Sequence, residues 1–250
     1  MEYNRITWGI VSLVVLVTGA ITFGVFEGRG QENNLQSTNA TPTPEIKDNR
    51  DLSKYGAVEY IASDVENRGD WDKRRRINQR YDDQGWVYNA ATPGVGGVGK
   101  MTHDPTPDAF PIDESFLIVA GEVHSVNSFL SNDKGGVYTE FKIRVDEILK
   151  NIGKKNPKTV TADREGGVVV YPNGQRVLYQ SSEKALPVSG SKYLFFLRRD
   201  DASPNYEIIT SYNLSSPTIY QLENSRSSDA FRNEGKSTFL EIVRSKIARH

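Results

Sequence analysis

The sequence predicts a mainly β (α+β) protein, in which an antiparallel twisted sheet or small barrel is closed by a C-terminal helix. Three observations support this fold class. Residues 114–149 change from a β-branched run to strict alternation of apolar and charged side chains, which is typical of half-buried strands. Apolar residues recur at helical spacing near the C-terminus. Residues 6–26 carry no charge, which predicts a transmembrane helix before the folded part, with a linker and one or two helices between them.

Composition places limits on function. The 250 residues include 31 basic and 32 acidic side chains, so the formal net charge is -1 and supplies no general attraction to nucleic acid or anionic lipid. The chain has no cysteine. Disulfides, thiolate metal sites, a cysteine nucleophile and a lipid-modified cysteine are therefore excluded.

The charge-free segment 6–26 is long enough to cross the hydrocarbon core of a bilayer as a helix. A cleaved secretory signal with Thr18-Gly19-Ala20 as its exit is the alternative. We favour an uncleaved signal anchor because the apolar run continues well past Ala20. Arg5 favours a cytoplasmic N-terminus. We therefore expect a single-pass membrane protein that contacts the lipid bilayer through residues 6–26, with a periplasmic or extracellular C-terminal domain.

The chain divides by composition into five regions. The segment 28–50 is polar and carries a TPTP sequence, as expected of a disordered linker that holds a domain away from the membrane. The predicted regions are a signal anchor (1–27), a disordered linker (28–50), a helical segment (51–84), a Gly/Pro-rich loop (85–113) and a β-barrel-like domain with a C-terminal helix (114–250).

The helical segment contains two features. Apolar residues from Leu52 to Val65 fall on one face of a predicted helix. A basic cluster follows at 73–80, which includes Arg74, Arg75, Arg76 and Arg80. One interpretation is a contact with phosphate or with an acidic partner. The other is a solvated helix face that Asp70, Asp72, Asp82 and Asp83 neutralise.

The Gly/Pro-rich loop contains two incomplete motifs. Residues 94–100 satisfy the GxxxxGK part of a phosphate-binding loop, but Met101 follows where Ser or Thr is needed, and nearby prolines oppose the required helix. His103, Asp104 and Asp108 lack the spacing of a metal site. We therefore predict no metal site and no cofactor.

The β domain is predicted element by element. Residues 116–126 and 137–149 pair as a long hairpin, and a second, shorter hairpin turns at Pro172-Asn173-Gly174. The most apolar segment, 192–197, is predicted to be a strand covered on both faces. The remaining predicted elements are strands at 159–163, 206–212 and 218–222, and a C-terminal helix that starts with the capping box Thr238–Glu241 and has Phe239, Ile242, Val243 and Ile247 in its apolar stripe.

The motifs at 119–126, 138–150 and 186–197 resemble those of uncharacterised bacterial secreted or membrane-anchored β-domains. The matching features are YT-x-F-x-x-x-V-x-E-I-L-K around Tyr138 and L-P-V-x-G-x-x-Y-x-F-F-L around Tyr193. Asn151 departs from this pattern, which often has glycine there. The resemblance implies a small OB-like twisted β-barrel and no known activity.

The sequence does not predict an enzyme. Of the three histidines, only His124 lies on a predicted strand, where it is expected to face solvent beside Glu122. We assign no catalytic, cofactor-binding or metal-binding residue. Three functions remain open: a non-catalytic interaction or structural domain with an unknown protein partner, an OB-like domain that binds a ligand or nucleic acid through exposed Tyr171, Tyr179 or Tyr206, and an unrecognised hydrolase. Nucleic acid is not the partner we expect.

Overall fold

A computed structural model describes residues 51–60, 71–85, 87, 97–100, 108–153, 155–181, 184–201, 203–223 and 231–250. The predicted signal anchor and linker lie outside these residues. Within the part of the chain that is described, no helix is both long enough and apolar enough to cross a membrane.

The described residues form one 3-10 helix, ten strands and two α-helices. In chain order, these are the 3-10 helix Leu52–Tyr55, β1 (Ala57–Glu59), α1 (Trp71–Gln79), β2 (Gly97–Lys100), β3 (Leu117–Leu130), β4 (Val137–Asn151), β5 (Thr159–Glu165), β6 (Gly167–Val170), β7 (Arg176–Ser181), β8 (Lys192–Arg199), β9 (Tyr206–Asn213), β10 (Tyr220–Gln221) and α2 (Lys236–Ile247).

The main sheet has six strands in the order β10-β9-β5-β4-β3-β8. Because β9 also pairs with β8, five of these strands form a nearly closed ring. All pairs in the ring are antiparallel except β5 with β9. The predicted antiparallel β fold is thus confirmed in its main features, including the long β3–β4 hairpin, the strand at 192–197 and the strand at 206–212.

The β3–β4 hairpin curves through several register shifts, including one between Ala120 and Gly121. A β-carbon at Gly121 would overlap the carbonyl oxygen of Arg144 on the neighbouring strand. Only glycine therefore fits at this bulge. The bulge in turn lets the long strand bend around the ring.

The main hydrophobic core lies inside the ring, because every ring strand contributes side chains to it. Val123, Phe141, Ala162, Phe195 and Ile208 are examples from β3, β4, β5, β8 and β9, in that order. Alternation along β4 puts Phe141, Ile143 and Val145 into this core, as the sequence predicts.

Helix α2 covers the outer face of β3, β8 and β9. Its Phe239, Leu240 and Val243 pack with Phe196 and Tyr212. The predicted C-terminal helix is confirmed, but its predicted start at a capping box is wrong. The helix starts at Lys236, after Gly235, which makes no side-chain cap, so Thr238 lies within the first turn.

A second sheet has the order β1-β6-β7-β2. The predicted β6–β7 hairpin is confirmed, and β1 and β2 extend its two edges by parallel pairing. The prediction of one helix through 52–65 is wrong at 57–59, because the chain leaves a short 3-10 helix at Tyr55 and enters β1. Pairing with the open edge of β6 prevails there over helical spacing. Residues 61–65 of this predicted helix lie outside the described residues.

Strand β2 lies inside the region predicted to be a loop. Gly97–Lys100 is extended and pairs with β7, so the end of the glycine-rich motif is a strand. A phosphate-binding loop instead follows a strand and leads into a helix. The prediction of a connecting loop over 85–113 is therefore wrong at Gly97–Lys100.

Candidate functional site

The outer face of β4 and β5 carries carboxylates. Alternation turns even-numbered residues of β4 away from the core, which places Glu140 on this face. Asp163 of β5 pairs directly with Glu140 across the two strands. Asp200 and Glu207 lie beside these residues, around the turn between β8 and β9. We call these four side chains the acidic face.

Helix α1 and the residues after it cover the acidic face. Ile77 and Tyr81 are buried against Tyr138 of β4. The rings of Tyr81 and Tyr138 stack with their centroids 4.4 Å apart and their planes within 9°. Both faces of β4 are therefore covered at Tyr138, and the prediction of a half-buried strand is wrong at this residue.

Arg74 makes the first polar contact between α1 and the sheet. Its Nη1 lies 2.5 Å from Glu140 Oε1 and 3.0 Å from the Tyr138 hydroxyl. Its guanidinium lies 3.7 Å from the centre of the Phe129 ring, close enough for a cation–π contact. Asn205 donates a second hydrogen bond to Glu140, of 2.8 Å. The carboxylate of Glu140 thus joins α1 to the β8–β9 turn.

Arg80 and Tyr81 make the second polar contact. The Tyr81 hydroxyl donates a 2.6 Å hydrogen bond to Asp163 Oδ1, and Arg80 Nη1 lies 3.3 Å from the same oxygen. Arg80 also lies 3.5 Å from the carboxylates of Asp200 and Glu207. A single arginine therefore bridges three of the four carboxylates of the acidic face.

Burial changes the protonation of this site. The side chain of Asp163 has 0% exposed surface. This burial raises the pKa of Asp163 to about 6, although Arg80 and the Tyr81 hydroxyl act in the opposite direction. Burial likewise raises the pKa of Tyr81 and of Tyr138. Both tyrosines therefore stay neutral and serve as hydrogen-bonding groups.

The turn after α1 also binds the β3–β4 turn. Asn132 donates its backbone N–H to Asp82 at 2.7 Å, and Asp83 donates its own to Asp133 at 2.7 Å. A β-carbon at Gly136 would overlap the Tyr81 carbonyl oxygen. Glycine is thus needed at this position for the two turns to approach each other so closely.

The basic cluster has two sides, which neither sequence interpretation describes fully. Arg74 and Arg80 bind carboxylates of the sheet, whereas the side chains of Lys73, Arg75 and Arg76 are exposed. The prediction of a helix face neutralised by nearby aspartates is wrong for Arg74 and Arg80, whose carboxylate partners lie on the sheet. Asp82 instead accepts hydrogen bonds from Asn132.

Other sequence candidates lie elsewhere. His124 is exposed on β3, as predicted. The prediction of exposed strand aromatics is wrong for Tyr171 and Tyr179, which are buried and share a hydrogen bond. Tyr206 is half-buried, with its ring tilted against Phe116.

The terminal and loop candidates do not join the acidic face. His250 lies 3.1 Å from Asp113, and Asp108 is exposed. His103 and Asp104 lie outside the described residues. Within the described ranges, no group of three or more metal-binding side chains is arranged to hold an ion.

A second polar network lies on the opposite face of β5. Arg164 pairs with Glu223, and both side chains are 2% exposed. Glu223 also accepts hydrogen bonds from the Thr210 hydroxyl and, at 3.0 Å, from the backbone N–H of Ser211. Arg164 donates a 2.8 Å hydrogen bond to the carbonyl of Ala185. This network joins β5, β9 and the segment after β10.

The comparisons with known proteins supply no relative. No family model, curated protein or solved structure matches this chain.

Proposed function

We propose that this chain is a single-pass membrane-anchored protein whose OB-like ring is a non-catalytic, protein-binding domain outside the cytoplasm. The anchor is the charge-free segment 6–26, and the linker at 28–50 separates it from the domain. Strands β3, β4, β5, β8 and β9 have the number and near closure of an OB-type barrel. Such barrels bind ligands on the face of their second and third strands and on two flanking loops.

One observation carries the protein-binding part of the proposal. The second and third ring strands are β4 and β5, and their outer face together with both flanking turns carries the acidic face and its contacts to α1. Single-stranded nucleic acid needs a positive groove with exposed aromatic side chains. Carboxylates paired with arginines are instead a surface suited to a basic protein segment.

The raised pKa of Asp163 is the feature that a hydrolase would share, because catalytic acids often have perturbed pKa values. The Asp163 side chain, however, has no exposed surface and is already bound by Tyr81 and Arg80. A substrate would have to remove both partners before reaching the carboxylate. This geometry favours a structural contact over catalysis.

Extraction of membranes with alkaline carbonate tests the anchor. The full chain should stay in the membrane pellet, and so should a control with Val15→Ala and Leu16→Ala. The matched Val15→Asp and Leu16→Asp variant should be depleted from the pellet, since a charge at the centre of a span opposes insertion by about 2.5–3.5 kcal/mol per residue. Release of the unaltered chain by carbonate would contradict the anchor.

A mobility-shift experiment tests the choice of partner class. The full chain in detergent micelles is mixed with single-stranded DNA and with single-stranded RNA at low salt, where electrostatic binding is strongest. We expect no shift with either. A shift that weakens as salt is added would replace protein binding by nucleic-acid binding.

A further inference from the structure

We propose that the acidic face is a docking site for a basic amphipathic helix of a partner protein, and that α1 occupies this site in the resting chain. The inference rests on the proposed protein-binding function and names the class of partner. Binding of that partner would displace α1 from β4 and β5.

Charge complementarity defines the occupant. Glu140, Asp163, Asp200 and Glu207 receive Arg74 from α1 and Arg80 from the turn after it, and Glu207 also pairs with Arg198 of β8. Without α1, a phosphate-bearing ligand would meet four carboxylates and only one arginine here and would be repelled. A cationic helix would meet the same partners that α1 meets.

The spacing on α1 specifies the partner more closely. Arg74 and Ile77, at positions i and i+3 of α1, contact the sheet from one side of the helix. Arg80 and Tyr81 contact the sheet from the turn that follows α1. The expected partner therefore has an arginine and an aliphatic residue three positions apart in its helix, and an arginine-tyrosine pair in the turn after that helix.

The hold of the sheet on α1 is limited, which makes replacement feasible. The helix has only nine residues, a length that is not stable alone in water. Of its described side chains and those of the following turn, Ile77 and Tyr81 are the buried apolar ones. The contact also requires the burial of Asp163, whose charged form is disfavoured there. Elements held in this way open more readily than a strand inside a closed ring.

The test supplies α1 as a separate molecule. A fluorescent peptide with the sequence of residues 71–85 is titrated into the full chain in detergent micelles. In the wild-type chain the tethered α1 competes at high effective concentration, so binding should be weak. An Arg74→Ala and Ile77→Ala chain has a weakened α1 but an intact acidic face, and should bind the peptide at least about tenfold more tightly.

Two controls isolate the acidic face. A Lys73→Ala and Gln79→Ala chain loses the same charge from exposed positions of α1 and should behave like the wild type. A peptide with Arg74→Glu and Arg80→Glu should not bind the weakened chain. Circular dichroism establishes that each chain is folded. A folded Arg74→Ala and Ile77→Ala chain that binds the peptide no better than the wild type would overturn the proposal.

A second measurement decides the matter if the weakened chain does not fold. Because the chain has no cysteine, a dye on Lys73→Cys reports on α1 alone. Excess unlabelled peptide should displace the labelled helix and lower the anisotropy of the dye. Unchanged anisotropy at saturating peptide would overturn the proposal. The carbonate and mobility-shift experiments are independent of this result, so failure of the docking site and failure of the proposed function remain distinguishable.

Discussion

Asp163 and Arg164 are neighbours in β5, yet they belong to two polar networks with different roles. Asp163 faces outward and is bound by Arg80 and Tyr81, which follow α1. Arg164 faces the other way and is bound by Glu223, which follows the last strand of the same sheet. Alternation along one strand thus separates a contact to a helix from a contact within the sheet.

The two networks differ in how their partners are held. Both members of the Arg164–Glu223 pair are 2% exposed and belong to the ring or its immediate continuation. The partners of Asp163 come from a short helix, and Arg80 remains 15% exposed. The comparison indicates that the first network stabilises the ring as a whole, while the second stabilises only the docked position of α1.

The largest effect is expected for Arg164→Met. Removal of one member of a buried ion pair leaves an uncompensated charge, which typically costs about 3–5 kcal/mol. We expect the free energy of unfolding of the whole domain to fall by about this amount in denaturant titrations. A loss below about 1 kcal/mol, the range of an exposed ion pair, would mean that this network does not hold the ring together.

The next effect is a dependence of stability on pH. The ordinary pKa of Asp163 is 3.8, and the folded-state pKa is about 6. Because the pKa of Asp163 is higher in the folded state, protonation of Asp163 stabilises the folded state. This stabilisation is fully present below pH 3.8 and is lost as the pH rises through about 6. This loss amounts to about 3 kcal/mol at most.

Asp163→Asn is the control for this pH dependence, because it keeps the side-chain shape and removes the titration. Arg80, Tyr81, Asn205 and Glu140 surround the group in both proteins. Stability of the wild type minus that of Asp163→Asn should decrease between pH 4 and pH 7. A difference that stays constant over this range would show that Asp163 titrates normally.

A smaller effect is expected for Gly136→Ala. The added methyl group would overlap the Tyr81 carbonyl oxygen and push the turn after α1 away from the sheet. Overpacking of this kind typically costs about 1–3 kcal/mol. Gly135→Ala is the matched control, because its methyl group meets only the Asp133 carboxylate. Thermal unfolding should separate the two variants, and equal stability would argue against close packing of α1.

The smallest effect concerns the two sides of α1. Lys73→Ala should change the free energy of unfolding by less than about 0.5 kcal/mol, because the side chain is exposed. Arg74→Ala removes the contacts with Glu140 and Tyr138 and should cost about 1–3 kcal/mol. If chemical denaturation gave the same value for both, the division of the basic cluster into two sides would be wrong.

Much of the fold follows from sequence patterns, whereas the site does not. The hairpins and the strands from β3 to β9 are predictable because alternation along each strand records which face is buried. The short strands β1 and β2 are not, because their structure depends on pairing with β6 and β7, far along the chain.

The acidic face was missed for a related reason. Alternation places Glu140 outward, but it does not reveal that a helix from another part of the chain covers it. The available signal was Tyr138, a large apolar ring among outward-facing residues of β4, which calls for a covering element. The matching signal is the spacing of Arg74 and Ile77 on α1 and of Arg80 and Tyr81 in the turn after it.

Native-state hydrogen exchange tests most directly whether α1 is held separately from the ring. Amide protection is measured for α1 and for the β3–β4 hairpin of the same full chain, under conditions where exchange reports the opening equilibrium. We predict that α1 opens with a clearly smaller free energy than the hairpin, and that Asp163→Asn changes the α1 value. Equal protection of both elements at the free energy of global unfolding would contradict this account.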